Sequence, residues 1–269
     1  MGFKERLAEH NVKIAVLDIE TRPAQAYVWG GFKQNVYLDQ IIEPPRMLCF
    51  AVRWVGSGEV EFYSEWEHGQ QDMLSAILHI LDEADIVVGY NSDNFDIKHI
   101  NAQLALNGFP PPRPYKSIDL MKESRANFRW FSGKLDFLAQ QLVGDKKTTH
   151  EGFPLWVKCM SEAASDPEVI EARAKMEEYN RQDVLVTEKV YIKMLPWLKR
   201  APHMGMFMEA DKDRCPHCGS EALRSDADGA TVKSQVTTYH LRLCSDCHGW
   251  SRTTERGREH DKLFTRKVV

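Results

Sequence analysis

Three short stretches of this chain hold acids whose spacing suits a single site. Val16-Leu17-Asp18-Ile19-Glu20-Thr21 ends a hydrophobic run in two carboxylates two residues apart. Gly89-Tyr90-Asn91-Ser92-Asp93-Asn94-Phe95-Asp96 separates an apolar, strand-like run from a helix-like one. Tyr179-Asn180-Arg181-Gln182-Asp183 lies within a long helical stretch. Residues two apart on a strand face the same side of a sheet, and residues four apart on a helix share a face. Asp18 with Glu20, and Tyr179 with Asp183, can each address one centre, with Asp96 opening a helix beside it. Four carboxylates at one point repel one another or take up protons. Two Mg²⁺ or Mn²⁺ ions balance that charge, and hard cations prefer oxygen ligands. No Ser, Cys or His constellation suggests a covalent nucleophile, so water is the expected attacking group. One ion would activate it and a second, about 3.5–4 Å away, would stabilise the leaving oxygen. A free tyrosine titrates near ~10, so Tyr179 is expected to aim the water rather than deprotonate it.

Each motif alone is weak. Asp-x-Glu is common at strand ends, Asn and Asp are frequent helix caps, and Tyr-x3-Asp is unremarkable on a charged helix. Their order along the chain, on matching elements, is what singles them out. On these residues the chain resembles the DEDD exonuclease superfamily, of DnaQ-like, RNase H-like fold. It is most similar to the proofreading domains of family B DNA polymerases. Ser132-Gly133-Lys134-Leu135-Asp136-Phe137-Leu138-Ala139, followed by Val143-Gly144-Asp145-Lys146-Lys147, resembles a segment those domains have between their second and third motifs. The resemblance covers about residues 12 to 195. It implies that Asp18, Glu20, Asp96 and Asp183 are metal ligands, that Thr21, Asn91 and Phe95 hold the 3′-terminal nucleotides, and that Lys134 lies near the phosphates. Asp96 is preferred to Asp93 because it puts Asn91 through Phe95 in register with the family motif. The superfamily divides on its third motif into His-x4-Asp and Tyr-x3-Asp branches; Glu178 stands five residues before Asp183, so the tyrosine (DEDDy) branch fits. The sequence runs only to Val269, with no room for a polymerase palm or fingers, so a free-standing nuclease is expected.

The elements that must position these residues read as an α/β layer fold: an RNase H-like mixed sheet flanked by helices. A first strand ends at the first motif. Met47 to Val55, Gly56-Ser57-Gly58 and Glu59 to Tyr63 read as a hairpin, making the first three strands antiparallel. Met73, Leu74, Ile77, Leu78 and Leu81 predict a helix over Asp72–Leu81. A strand to Tyr90, a helix to Leu106 and a fifth strand at Ser117–Leu120 follow. The rest is helical, including a long segment opened by Pro167 and closed by Pro196. Residues 21–46 read as an irregular insertion. Its rings Tyr27, Trp29, Phe32 and Tyr37 either flap over a single strand, since bases stack on aromatic faces, or cover the sheet edge. Phe128-Arg129-Trp130-Phe131 poses the same choice between clamp and core.

A second module follows. Cys215-Pro216-His217-Cys218 and Cys244-Ser245-Asp246-Cys247 have the Cys-x2-Cys spacing of a Cys₄ zinc ribbon, whose thiolates close a structural tetrahedral Zn²⁺ site. Gly219 and Gly249 lie where tight turns let backbone amides face the sulfurs. His217 and His248 are unneeded as ligands, and Cys49 and Cys159 read as ordinary reduced thiols. The expected division is 1–200 nuclease domain, 201–211 Met-rich linker and 212–269 zinc-ribbon module. Its tail, Ser251–Val269, has six Lys or Arg against three acids and is a candidate phosphate contact.

With 269 residues, 43% hydrophobic and 28% charged, composition is that of an ordinary water-soluble protein with one sizeable core and a small module. No apolar run reaches the ~20 residues of a membrane span, no signal peptide is evident, and a cytoplasmic location is expected. A net charge of −4 argues against indiscriminate coating of nucleic acid. The leading expectation is a 3′–5′ exonuclease that hydrolyses single-stranded DNA or frayed 3′ ends to nucleoside 5′-monophosphates, in replication, repair or recombination. The module would bind substrate or a replication or repair protein. A 3′–5′ exoribonuclease, a structure-selective endonuclease and a non-catalytic nucleic-acid-binding adaptor remain as alternatives.

Overall fold

The computed structural model describes residues 1–145, 151–208, 212–225, 230–234 and 238–253, and the backbone of 265–267. Its centre is a five-stranded mixed sheet. A short helix α1 (Phe3–Glu9), not anticipated from the sequence, precedes β1 (Ile14–Arg22). The strands β2 (Gln25–Ala26) and β3 (Ile41–Glu43) pair only with each other. Then come β4 (Arg46–Trp54), β5 (Glu61–Ser64), α2 (Glu65–Glu83), β6 (Ile86–Gly89), α3 (Asp96–Leu106) and β7 (Lys116–Asp119). The sheet order is β5-β4-β1-β6-β7. β1–β4 and β4–β5 are antiparallel, as the hairpin reading predicts; β1–β6 and β6–β7 are parallel.

The central strand is covered on both faces, so the first half of β1, Ile14–Leu17, is continuously apolar rather than alternating. Ile14 and Val16 enter one core, while Ala15, Leu17 and Ile19 enter the other. The first core is roofed by α5 (Leu135–Val143), α6 (Phe153–Cys159) and α7 (Pro167–Met194), and the second by α2 and α3. Period-two alternation then sets the faces of the acids. Asp18 and Glu20 continue the Ile14–Val16 series and look toward α7. Opposite them the β1–β4 register slips between Glu20 and Thr21. That bulge puts consecutive residues Leu48 and Cys49 in the same core.

Helix ends follow local chemistry. Asp166 caps α7 by accepting from the Glu168 amide at 2.8 Å, and Pro167 occupies the first turn, where its missing N–H costs nothing. Pro196 follows and cannot continue the helix. α2 begins earlier than the Asp72–Leu81 pattern suggests: Ser64 caps Glu67, and Gly69 (φ 76°) breaks the first turn before the apolar stripe begins. α4 (Leu120–Asn127) fills the span after β7.

The insertion departs from one expectation. Tyr27, Phe32 and Tyr37 are exposed and Trp29 is 99% so, hence these rings do not cover the sheet edge. In the 128–131 stretch the two readings divide. Phe128 and Trp130 pack against each other with tilted rings, centroids 5.0 Å apart, whereas Phe131 is 98% exposed.

The C-terminal module is a small sheet of β8 (Leu223–Ser225), β9 (Thr231–Lys233), β10 (Thr238–Cys244), β11 (Trp250–Thr253) and β12 (Thr265–Lys267), ordered β12-β11-β10-β8 with β9 also on β10. It is bolted to the larger unit. The buried Arg6 of α1 donates to the Cys218 carbonyl (3.1 Å) and to Asp246 (2.7 Å). His217 directs one ring nitrogen at the Leu195 carbonyl (3.1 Å) and the other at that of Trp250 (3.2 Å), so its ring bridges the units and is not turned to the cysteines. In the Met-rich stretch Met204 and Met208 are buried, but Met206 is exposed. Lys146, Lys147, the end of the linker and most of the basic tail lie outside the described residues. Among the described residues no helix is long and apolar enough to cross a membrane.

Candidate active site

The three motifs meet at the edge where β1 faces α7. Asn180, one residue after Tyr179, reaches the first motif, its side-chain amide donating to the Asp18 carbonyl (3.1 Å) and to Asp18 Oδ2 (2.7 Å). The second motif meets the first through Asp96, whose Oδ1 accepts the Ile19 backbone N–H at 3.0 Å. Trp156 of α6 donates its indole N–H to Glu20 Oε2 at 3.0 Å, and its ring stands edge-on to Tyr179 with centroids 6.1 Å apart. Tyr179 hydrogen-bonds Asp183, one turn along its own helix.

Burial and mutual repulsion set the electrostatics. Asp96 is 3% exposed. Desolvation pushes its carboxyl up to about 7; the Ile19 amide opposes the shift and the nearby Asp119 adds to it. Tyr179 is driven far above its ordinary value by burial, then by Asp183, Glu20 and Asp18 around it. It is therefore a hydroxyl donor throughout the working pH range and not a base. Asp93, the competitor for the Asp96 position, lies apart. Burial raises its pKa, but hydrogen bonds from Ser117 and Lys122 outweigh that and hold it below the usual range.

The remaining candidates are arranged less tightly. Thr21 follows the point in β1 opposite the β4 bulge at Leu48. Asn91 adopts a left-handed backbone (φ 64°), which Asn tolerates better than most residues. Phe95 caps α3, partly exposed, with its ring 4.6 Å from that of His99. Lys134 is exposed at the start of α5 and joins the site only through its loop, where the Tyr90 hydroxyl donates to the Gly133 carbonyl at 2.8 Å.

Three residues of the site were given no role from the sequence. Asn180 sits inside the third motif but has no spacing signal of its own. Trp156 lies on a separate helix, and nothing local to it points at Glu20. Asp119 ends β7 and is buried; its Oδ1 accepts the amides of Asn91 (3.0 Å), Met121 (2.9 Å) and Lys122 (3.2 Å). It thus ties the start of α4 to the loop that holds the second motif. Gly89 completes that loop, because a Cβ there would lie 2.5 Å from Ser92 Cβ.

The donor set suits a hard divalent cation, being carboxylate oxygen throughout, with Asp96 forced toward its neutral form when no cation is at hand. The acids are nevertheless spread. Among the described residues only Cys215, Cys218, Cys244 and Cys247 form a closed set of ligand atoms, all within 4.8 Å of one another. Cys215 and Cys247 sulfurs are 3.6 Å apart, and those of Cys218 and Cys244 3.7 Å. A Zn–S bond of about 2.3 Å gives a tetrahedron with edges of roughly 3.8 Å. The residue after each pair, Gly219 (φ 72°) and His248 (φ 58°), is left-handed. The Gly249 amide points at Cys247 Sγ (3.4 Å), as expected, whereas the Gly219 amide goes to the Cys215 carbonyl (2.8 Å).

A family model described as the RNase_H superfamily matches residues 43–195, a span that begins after Asp18 and Glu20 and contains Asp96, Tyr179 and Asp183. No curated protein matches the chain. Among solved structures the fold is similar to that of the family B DNA polymerase from the hyperthermophilic archaeon Pyrobaculum calidifontis, with a TM-score of 0.50 and 17% identity. The match covers 69% of this chain and 25% of that one, so this chain spans about a quarter of the polymerase's length.

Proposed function

The chain belongs to the RNase_H superfamily, and on that premise we propose that it is a metal-dependent 3′–5′ exonuclease acting on single-stranded DNA or frayed 3′ ends. The reading rests above all on the contacts that join the three motifs: Asn180 grips Asp18, the Ile19 amide holds Asp96, and Asp183, Glu20 and Asp18 lie near enough to Tyr179 to raise its pKa. In this proposal Asp18, Glu20, Asp96 and Asp183 hold two Mg²⁺ or Mn²⁺ ions, which when bound supply an activated water and stabilise the departing 3′ oxygen. The chain's own groups do the rest. Tyr179 keeps its proton and orients the water. The Phe95 ring, exposed beside the Asn91 loop, offers a stacking face for a terminal base, and Thr21 and Asn91 fix the end nucleotide. Asn180 and Trp156 hold the carboxylates of Asp18 and Glu20 in position. We take 1–200 as the nuclease domain, 201–211 as a linker and 212–269 as a module with one structural Zn²⁺ on its four cysteines, which fills every position and leaves none for chemistry.

Single strands labelled at either end, as DNA and RNA, test this with Mg²⁺ present. The 5′-labelled DNA should shorten stepwise, the 3′ label should leave first as a mononucleotide, and a blocked 3′ end should protect. Asp18→Ala should abolish cleavage and keep the fold. Cutting of a circular single strand, or full activity in Asp18→Ala, would overturn the proposal.

A further inference from the structure

A cleft between the end of α7 and the second cysteine pair has no part in the site above. It measures about 380 Å³ and is lined by Pro196, Trp197, Lys199, His217, His248 and Trp250 among others. Trp197 is 59% exposed and Trp250 42%, so each indole is partly open to solvent. Lys199 and His248 are exposed beside them. The walls are held firmly. Buried Glu123 accepts the backbone amides of Lys199 (2.8 Å) and Arg200 (3.1 Å), and His217 holds the Trp250 carbonyl on the other side. Among the described residues no carboxylate pairs with Lys199 or Lys134.

One loop links the cleft to the second motif. Tyr90, next to Asn91, holds the Gly133 carbonyl. From there the loop runs through exposed Phe131 and Arg129 to Phe128, which packs on Trp197 at 5.4 Å. Rings interleaved with cations are what a single strand needs, because bases stack on the rings and phosphates meet the charges.

We propose that this cleft is a second contact for the substrate strand, stacking a base against Trp197 and Trp250 with its phosphate at Lys199, upstream of the 3′ end held among the acids. The inference rests on the exonuclease reading. The six residues 128–133 span at most about 20 Å, or roughly six nucleotides at ~3.4 Å each. A strand of about that length is therefore long enough to run beside the loop from the acids to the cleft.

The test is fluorescence anisotropy with 5′-fluorescein dT4, dT20 and rU20, in an Asp18→Ala background so that no strand is consumed. Trp197→Ala combined with Trp250→Ala should weaken dT20 binding about tenfold, in line with stacking on two rings, and leave dT4 unchanged. Lys199→Gln, which removes the exposed charge and keeps the backbone amide that Glu123 accepts, should do the same more mildly. In the cleaving protein, KM for dT20 should rise while kcat holds. Tighter binding of rU20 with the same loss in the variants supports the cleft and changes the polymer. A parent that binds dT20 while both variants bind it equally well overturns the inference alone. A parent that binds no strand at all overturns the exonuclease reading and the cleft with it.

Discussion

Asn180 holds Asp18 by two contacts from one amide, 3.1 Å to its carbonyl and 2.7 Å to its carboxylate, across a sequence separation of 162 residues. The buried long helix is thereby locked to the central strand at the point where both present acids. Removing the amide frees the Asp18 carboxylate to turn. Asn180→Ala should reduce turnover by about 10–100-fold, the usual cost of losing a residue that orients a ligand. Apparent metal affinity should weaken with it, while circular dichroism stays native. Unchanged metal dependence would show that Asp18 needs no such support.

Asp96 gives a pH signature. Its carboxyl lies at about 7 in the folded, metal-free chain, against ~3.9 when unfolded. The folded state therefore favours the neutral acid. Its contribution to stability is full below about pH 4 and is lost as pH rises through about 7. The metal-free protein should lose melting temperature across that window, and Asp96→Asn should not follow it. Because cations need the ionised form, metal binding should release protons below about pH 7 and tighten as pH rises. Calorimetry in two buffers of different ionisation enthalpy reads this directly.

Gly89 is fixed by proximity. A Cβ at this position meets Ser92 Cβ at 2.5 Å, and Ser92 is fully buried. Gly89→Ala should cost about 1–3 kcal/mol by overpacking and displace the loop from Asn91 to Asp96. Turnover should fall further than the melting temperature suggests. Adding Ser92→Gly should restore part of both, and no recovery would argue against the contact as the cause.

The cysteine module should be structural in its chemistry. Cys215→Ser with Cys218→Ser should remove bound zinc and unfold the small sheet, since metal binding supplies much of the folding energy of such modules. Arg6 and His217 join the module to α1 and to Leu195 just past the end of α7, so the melting temperature of the rest should fall as well. Cleavage at saturating strand should survive, with weaker binding. Protein purified without chelator and found to lack zinc would remove the premise.

The sequence alone nominated the acids. Asp18 with Glu20, and Tyr179 with Asp183, stand out because period two and period 3.6 are local rules, readable from spacing. Asp96 is preferred to Asp93 only through the register of the family motif it resembles. The mixed sheet followed from the same periods and from Gly and Pro punctuation, and the cysteine pairs from their intervals. The short helix α1 gave no such warning, and neither did the partners of the acids. Trp156 meets Glu20 across 136 residues and Asn180 meets Asp18 across 162, distances over which no periodicity survives. The alternation of β1 fixed which of its residues share a face, but not which helix would roof that face. That was decided when Ile14 and Val16 joined the core beneath α7 and Ala15, Leu17 and Ile19 the core beneath α2 and α3. The insertion shows the same limit: its aromatic residues predict burial or binding equally, and only packing left Trp29 in solvent. Side-chain direction is local chemistry, whereas the partner it meets is a property of the whole chain's packing.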